Sequence, residues 1–346
     1  MTVLINYKPV LNRPTGIGVY ANAVLPALQA LPHVFLPGGD SGSAAERLKR
    51  LAWSQLELPR LARQHRAALV FTPAPEGYLG SQNIPQVVMV HDLRPITHPD
   101  RSFQSLYFRC WVPQLLRSCR HVVTNSRFTL SEIQRCTGLA EDKITVTPLG
   151  YDNQVFHPAL APTASREYSY LLHVGQAYPH KNVFGLIQSF ASLVERYPYL
   201  NLVLAGKPHA TETPKHRALV RELGLESKVE FRDYVPYEEL PNLYRGALAL
   251  VYPSFWEGFG LPILEAMACG VPVVTSYGSG MEEVAGDAAL YVDPQSTASI
   301  IKAVGLLIDS PYVVSSLVAK GLERSSRFSW STCASSLKST IVDLMS

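Results

Sequence analysis

Phe255-Trp-Glu-Gly-Phe-Gly-Leu-Pro-Ile-Leu-Glu-Ala-Met-Ala-Cys-Gly-Val-Pro-Val-Val-Thr275 sets a glycine loop, a short helix and a β-branched run one after another. Glu257 opens a loop containing Gly258 and Gly260. A short helix is expected next, with Pro262 in its first turn, Glu265 inside it and Gly270 as its stop signal. Val271 to Thr275 is rich in β-branched residues, is bounded by turn residues and reads as a buried strand. Glycines that feed a helix N-terminus let backbone N–H groups come close to an anion, and the helix dipole favours negative charge there. Glu257 and Glu265 are eight residues apart. One therefore sits at the mouth of the loop and the other about one and a half to two turns along the helix. Such a layout suits a ligand with a phosphate in its middle and hydroxyl-bearing rings at either end. Two glutamates, a turn and a core helix would, taken singly, more often be surface and packing.

Working outward, 346 residues exceed one ordinary core, so two domains are expected. A hydrophobic content of 47% with 17% charged residues excludes a disordered chain. No apolar run reaches about 18 residues, the length a membrane-spanning helix needs. Met1-Thr-Val-Leu-Ile-Asn6 lacks the basic and apolar regions of an export signal, so a cytoplasmic protein is expected. The cysteines, Cys110, Cys119, Cys136, Cys269 and Cys333, are scattered without C-x-x-C spacing and read as reduced structural thiols. There is no Asp-x-Asp triplet, no H-E-x-x-H and no cysteine–histidine cluster, so no metal cofactor is expected. The net charge of +3 conceals an asymmetry: residues 1–150 hold 16 basic against 9 acidic residues, and the remainder 15 against 19. Arg47, Lys49, Arg50, Arg60, Arg63, Arg66, Arg101, Arg109, Arg117 and Arg120 carry much of it. A basic first half can meet anionic lipid headgroups, a diphosphate-bearing acceptor or nucleic acid, or can be a solvated face.

In chain order, Val3 to Asn6 is a short strand and Ala21 to Leu31 reads as a helix, with Thr15 as its cap and Gly16 and Gly18 at the turn between them. Ala44 to Arg66 is helical by periodicity, with Leu48, Leu51, Leu56 and Leu61 on its buried side and a kink or break at Pro59. Leu69 to Thr72 and Val87 to His91 read as buried parallel strands. The second ends at His91-Asp92, and residues at the C-terminal ends of strands in an open α/β sheet face the ligand crevice. Phe103 to Leu116 reads as one amphipathic helix whose aromatics and Arg109 could touch a membrane or pack in the core. His121 to Asn125 is a strand, and Thr129 with Glu132 matches a capping box for the helix after it. Pro158, Ala161, Pro162, Thr163 and Ser165 mark a linker near residues 152–168. Beyond it, strands alternate with helical patterns, which implies βαβ units and a parallel sheet. Glycine and lysine fall at two strand ends, Gly175 with Lys181 and Gly206 with Lys207. Pro311 to Arg327 and Trp330 to Met345 are terminal helices.

The string E-G-F-G-L-P-x-x-E-A-M-A-C-G-x-P-V-V resembles the paired-glutamate motif of retaining GT-B glycosyltransferases of the family 4 group. The resemblance extends over the whole chain and is strongest at residues 170–293. It implies an α/β fold of two Rossmann-like, doubly wound parallel-sheet domains facing a deep cleft. Residues 1–155 would be the acceptor-binding domain, residues 156–329 the nucleotide-sugar domain, and a last helix at 330–346 would pack back on the first, with Trp330 as anchor. It also implies residue roles. Glu257 would bind sugar hydroxyls near the anomeric carbon, Lys181 would grip the donor diphosphate, and His91 would reach the donor sugar with Asp92 as a possible orienting partner. Glu265 would hold the ribose diol, Phe259, Gly260 and Leu261 would offer backbone N–H groups, and Tyr234 and Val235 would line the base. Gly16, Gly18, Asn125, Ser126, Gly175 and Lys207 complete the expected donor site, Ser126 being equally readable as a helix cap. Many relatives carry Arg directly after the first glycine of this half, where this chain has Gln176. His180, Lys207 or helix amides would then meet that phosphate charge.

The implied reaction moves a hexose from a nucleoside diphosphate to an acceptor hydroxyl with retention and without metal. UDP-glucose is the favoured donor and GDP-mannose the next. A glycan or lipid-linked acceptor for surface polysaccharide is expected, with peripheral contact at an anionic inner membrane face and no nucleic-acid partner. Three other readings stand beside it: a catalytically degenerate donor-binding subunit, a nucleotide-sugar epimerase of the same architecture, and a two-lobed solute-binding protein.

Overall fold

The computed structural model describes residues 1–11, 16–38, 44–80, 84–99, 102–159 and 169–346. Thr15, Arg101 and the linker residues Ala161, Pro162, Thr163 and Ser165 lie outside them. The chain forms two compact units, Met1–Gly150 with Phe328–Ser346, and Tyr151–Arg327.

The first unit holds the strands β1 (Thr2–Asn6), β2 (His33–Leu36), β3 (Ala67–Thr72), β4 (Gln86–Val90), β5 (His121–Thr124) and β6 (Ile144–Val146). Its helices are α1 (Gly16–Gln29), α2 (Ala44–Gln64), α3 (Arg94–Thr97), α4 (Phe103–Cys110), α5 (Val112–Ser118) and α6 (Arg127–Thr137). The strands pair in parallel in the order β2-β1-β3-β4-β5-β6. Val87, Val88, Met89 and Val90 are buried without alternation, as expected of a parallel strand covered on both faces.

The second unit holds β7 (Ser169–Val174), β8 (Leu200–Ala205), β9 (Val229–Arg232), β10 (Ala249–Tyr252), β11 (Val273–Ser276) and β12 (Ala289–Val292). Between and after them come α7 (Val183–Arg196), α8 (Glu212–Glu222), α9 (Leu240–Gly246), α10 (Leu261–Ala268), α11 (Gly280–Ala285), α12 (Thr297–Asp309) and α13 (Pro311–Ser325). The order is β12-β11-β10-β7-β8-β9, again all parallel. Strand order therefore reverses between β7 and β10. Right-handed crossovers on the two sides of that reversal put helices on both faces. Helices α7, α8 and α12 share one core through Phe190, Leu219 and Val304. The reversal leaves the C-terminal ends of β7 and β10 side by side, which is where ligands bind in open α/β sheets.

A last helix, α14 (Trp330–Met345), belongs to the first unit and packs on α1. Ser329 caps it by accepting the Thr332 N–H, and Cys333, Leu337 and Ile341 are its buried face. Its start lies directly against Gly150, where a Cβ would stand 2.1 Å from the Trp330 nitrogen. The close approach that ties this helix down is thus one of backbones.

Several local expectations are corrected. Leu48 and Leu56 are exposed; the buried ridge of α2 is Ser54, Leu58 and Ala62, with Leu51 and Leu61 partly covered, so the 3.6-residue period holds with a different phase. Pro59 does not split that helix, which runs on to Gln64. Phe103 to Leu116 is two helices, because Pro113 lacks the N–H to continue a helix through Trp111 and sits instead in the first turn of α5. The cap of α6 is Ser126, whose hydroxyl accepts the Thr129 N–H at 3.0 Å, and not Thr129 with Glu132. Among the described residues no single helix is long and apolar enough to cross a membrane.

Candidate functional site

In the second unit the site is built at the strand-order reversal. After β7 the chain turns at Gly175, whose φ of +147° is open to glycine and strained for other residues. Gly206, after β8, is held to the same neighbourhood: a Cβ there would lie 2.2 Å from the Gly175 carbonyl oxygen. Between Gly175 and α7 a short 3-10 turn, Pro179–Lys181, aims Lys181 across the end of β10. From β10 the chain passes through Pro253 and Ser254 to Glu257. Lys181 Nζ and Glu257 Oε1 are 2.6 Å apart, and the two side chains are 14% and 13% exposed. The Lys181 ammonium also donates to the Tyr252 hydroxyl and lies 4.8 Å from the centre of that ring.

Burial alone would raise the Glu257 carboxyl. The charges of Lys181 and His180, with Lys181 in direct contact, outweigh burial and hold it below the ordinary glutamate range. Glu257 is thus an anion kept in a dry place by an adjacent cation. The loop it opens is tight. Gly280 N donates to the Glu257 carbonyl at 3.0 Å, and a Cβ on Gly280 would fall 2.1 Å from the Gly258 carbonyl oxygen. Gly260 then caps α10 with φ of +107°, a left-handed conformation that glycine adopts without strain. Phe259 is buried, and Leu261 and Pro262 begin the helix.

Glu265 lies on α10, where Tyr244 of α9 donates a 2.7 Å hydrogen bond to its Oε2. Burial pushes its pKa up to about 7 against the lowering effect of that bond. Phe156 packs edge-on to both Tyr237 and Tyr244 beside it. Tyr234 is 66% exposed and Val235 half-buried in the loop after β9, and Lys207 is exposed after β8. Gly175, Gly206 and Asp233 line a cleft whose wall carries His173 and His216.

The remaining site residues belong to the first unit. His91 follows β4 and donates from Nε2 to the Pro73 carbonyl at 3.1 Å, with its ring edge-on to Tyr20 at 4.9 Å. Burial lowers its pKa to about 4, so it is a neutral imidazole. Pro73, not Asp92, orients it; the Asp92 carboxylate accepts the Arg94 N–H and shapes the turn into α3. Asn125 donates to the His91 carbonyl at 3.1 Å, which ties the ends of β4 and β5 together. Ser126 is spent as the α6 cap. Gly16 and Gly18 lie in the first turn of α1.

Sequence reasoning passed over Tyr252 and Tyr244. Tyr252 ends an apolar run and Tyr244 sits between Leu243 and Arg245; only their hydroxyls, reaching Lys181 and Glu265, reveal more. Among the described residues no group of three or more His, Cys, Asp or Glu is placed to hold a metal ion.

Both halves of the chain resemble known proteins. Residues 161–323 match the family described as glycosyl transferases group 1, and residues 14–155 match glycosyltransferase family 4. O-antigen chain mannosyltransferase B of Escherichia coli is 34% identical over 272 residues, 75% of this chain and 70% of its own length. The chain belongs to the family 4 glycosyltransferases. O-antigen chain mannosyltransferase RfbU of Salmonella typhimurium is also 34% identical to this glycosyltransferase, over 65% of the chain and 62% of its own. Among solved structures, sucrose-phosphate synthase from Thermosynechococcus elongatus superposes with a TM-score of 0.80 at 19% identity, covering 99% of this chain and 98% of that one. Anabaena HepE, solved with UDP-glucose, gives a TM-score of 0.78 at 16% identity over 99% of both chains. The glycosyltransferase thus has the GT-B architecture of two Rossmann-like parallel-sheet domains.

Proposed function

We propose that this glycosyltransferase moves a hexose from a nucleoside-diphosphate sugar to a hydroxyl of a glycan or lipid-linked acceptor, with retention of configuration and without a metal. The observation that carries this reading is the Lys181–Glu257 pair at the β7/β10 reversal, beside the N-terminus of α10. A diphosphate arriving there competes with Glu257 for the Lys181 ammonium and meets the N–H groups of Phe259, Gly260 and Leu261. Glu257, released from Lys181, then accepts from sugar hydroxyls near the anomeric carbon, and Glu265 accepts from the ribose diol. The bond from the anomeric carbon to the phosphate oxygen breaks as the acceptor oxygen bonds to the same carbon on the same face. The acceptor proton passes to a phosphate oxygen, and the nucleoside diphosphate leaves. The rate comes from holding the partners together and from stabilising charge on the departing phosphate by Lys181 and helix amides, the role a metal plays elsewhere. His91, neutral and with its one N–H given to the Pro73 carbonyl, would position the sugar by accepting from a hydroxyl at Nδ1.

For the donor, the likeness to two O-antigen mannosyltransferases moves GDP-mannose ahead of UDP-glucose, which the sequence motifs had favoured. Envelope or O-antigen polysaccharide is the product class that likeness supports. Phe103 and Leu106, exposed on α4 within the basic first half of the chain, support peripheral contact with an anionic inner membrane face and a cytoplasmic enzyme.

The test is nucleotide release from GDP-mannose and from UDP-glucose, with lipid-linked glycan acceptors and with or without EDTA. Release with one donor, unchanged by EDTA, is expected. Release abolished by EDTA would remove the metal-free mechanism, and no nucleotide binding at all would remove the donor site.

A further inference from the structure

Tyr252 ends β10 and is fully buried. Its ring is pinned from one side by His173, stacked at 5.4 Å and 22°, whose Nδ1 donates to the neighbouring Val251 carbonyl at 3.1 Å. From another side the Lys181 ammonium stands over the ring. The hydroxyl accepts from Lys181 Nζ, and the same ammonium touches the Glu257 carboxylate. A tyrosine hydroxyl has one proton to give and lone pairs to accept with, whereas an ammonium has three protons to give and no lone pair. Lys181 can therefore give one proton to Tyr252 and one to Glu257, and the ammonium keeps a third for a ligand.

Donor binding breaks the contact with Glu257, because Lys181 must turn from it to the diphosphate. A flexible four-carbon stem carrying a bare ammonium would then be held at one end only. We infer that Tyr252 is a positioning residue of the donor site, its hydroxyl holding Lys181 in reach of the diphosphate once the contact with Glu257 opens. The inference rests on the proposed donor site, and it adds a residue whose ring could pass for core.

The test is Tyr252→Phe, which keeps the buried ring and its stacking on His173 and removes the hydroxyl alone. Affinities for GDP and UDP and for the corresponding bare nucleosides are measured by calorimetry on wild type and variant, with thermal midpoints as a check on folding. A hydrogen bond to a charged group is worth about a tenfold change in affinity or more. The variant is expected to lose about that factor toward the diphosphate, to hold the nucleoside within about twofold, and to show a rise in donor KM larger than the fall in kcat. Equal loss toward nucleoside and diphosphate would make Tyr252 a packing residue and overturn the inference, as would diphosphate affinity unchanged within about twofold. A second readout needs no ligand: acylation of Lys181 by an amine reagent, followed by peptide mass spectrometry, should be faster in Tyr252→Phe. If wild type binds no nucleotide, the donor site falls, and the labelling rate alone decides whether Tyr252 holds Lys181; an unchanged rate overturns that as well.

Discussion

Glu257 Oε1 lies 2.6 Å from Lys181 Nζ, although one residue leaves β10 and the other leaves β7. The pair is nearly dry, so each charge depends on the other to be tolerated. Its geometry also explains why neither residue can be read as a surface charge.

Removing one partner should therefore cost both stability and activity. Lys181→Met leaves the Glu257 carboxylate buried without its cation, and a loss of about 3 kcal/mol is expected from breaking such a pair. Transfer should fall by about a hundredfold or more, since the leaving phosphate also loses its cation. Urea unfolding and initial rates on the same preparation check both. A variant with full activity would remove Lys181 from the mechanism.

Nucleotide binding should release protons near neutral pH. Glu265 titrates at about 7 because burial disfavours its charge. A ribose diol donating to that carboxylate favours the ionised form and lowers the pKa. Titrations at pH 7 in buffers of different ionisation enthalpy should show fractional proton release in wild type and none in Glu265→Gln.

Stability should rise from about pH 4 to about 6.5. His91 and His173 both have pKa values lowered to about 4 by burial, against an unfolded value of 6.5. The unfolded chain binds more protons across that window, so their contribution is present above it and lost as pH falls through it. Glu265 acts in the opposite sense: its folded pKa is raised from 4.5 to about 7, so its contribution is full below 4.5 and lost as pH rises toward 7. Two histidines with shifts of similar size outweigh one glutamate. Thermal midpoints across the range check the net sign, and Glu265→Gln should steepen the rise.

Gly280→Ala should disturb the site without touching a side chain in it. The new Cβ would stand 2.1 Å from the Gly258 carbonyl oxygen, and the Glu257 loop has to move to admit it. Such crowding costs about 1–3 kcal/mol. Donor affinity should fall together with the thermal midpoint, whereas Gly16→Ala, where nothing lies within 4 Å, should leave the midpoint within about a degree.

Ser126→Ala should lower stability by about 1 kcal/mol through loss of the α6 cap, with most of the loss recovered in Ser126→Asp. No recovery with aspartate would point to a role for the hydroxyl beyond capping.

Much of this protein was legible in its residues alone. Gly260, Pro262 and Gly270 delimit α10 because their backbones permit few alternatives, and uninterrupted apolar runs such as Val87 to Val90 mark parallel strands because both faces are covered. The length and spacing of the Glu257–Glu265 motif carried the family. Local phase was less legible: Leu48 and Leu56 are as apolar as Leu58, and which of them meets the sheet is set by where α2 lands. Strand order lay beyond the sequence altogether, since no local preference says that β10 pairs with β7 and not with β9. Only the tertiary structure brought Lys181 to Tyr252, 71 residues away, and to Glu257 beyond it. Backbone propensities and burial patterns are short-range and can be read along a chain. The reversal of the sheet is a choice among packings of the whole domain, and the site exists only where that choice puts two strand ends together.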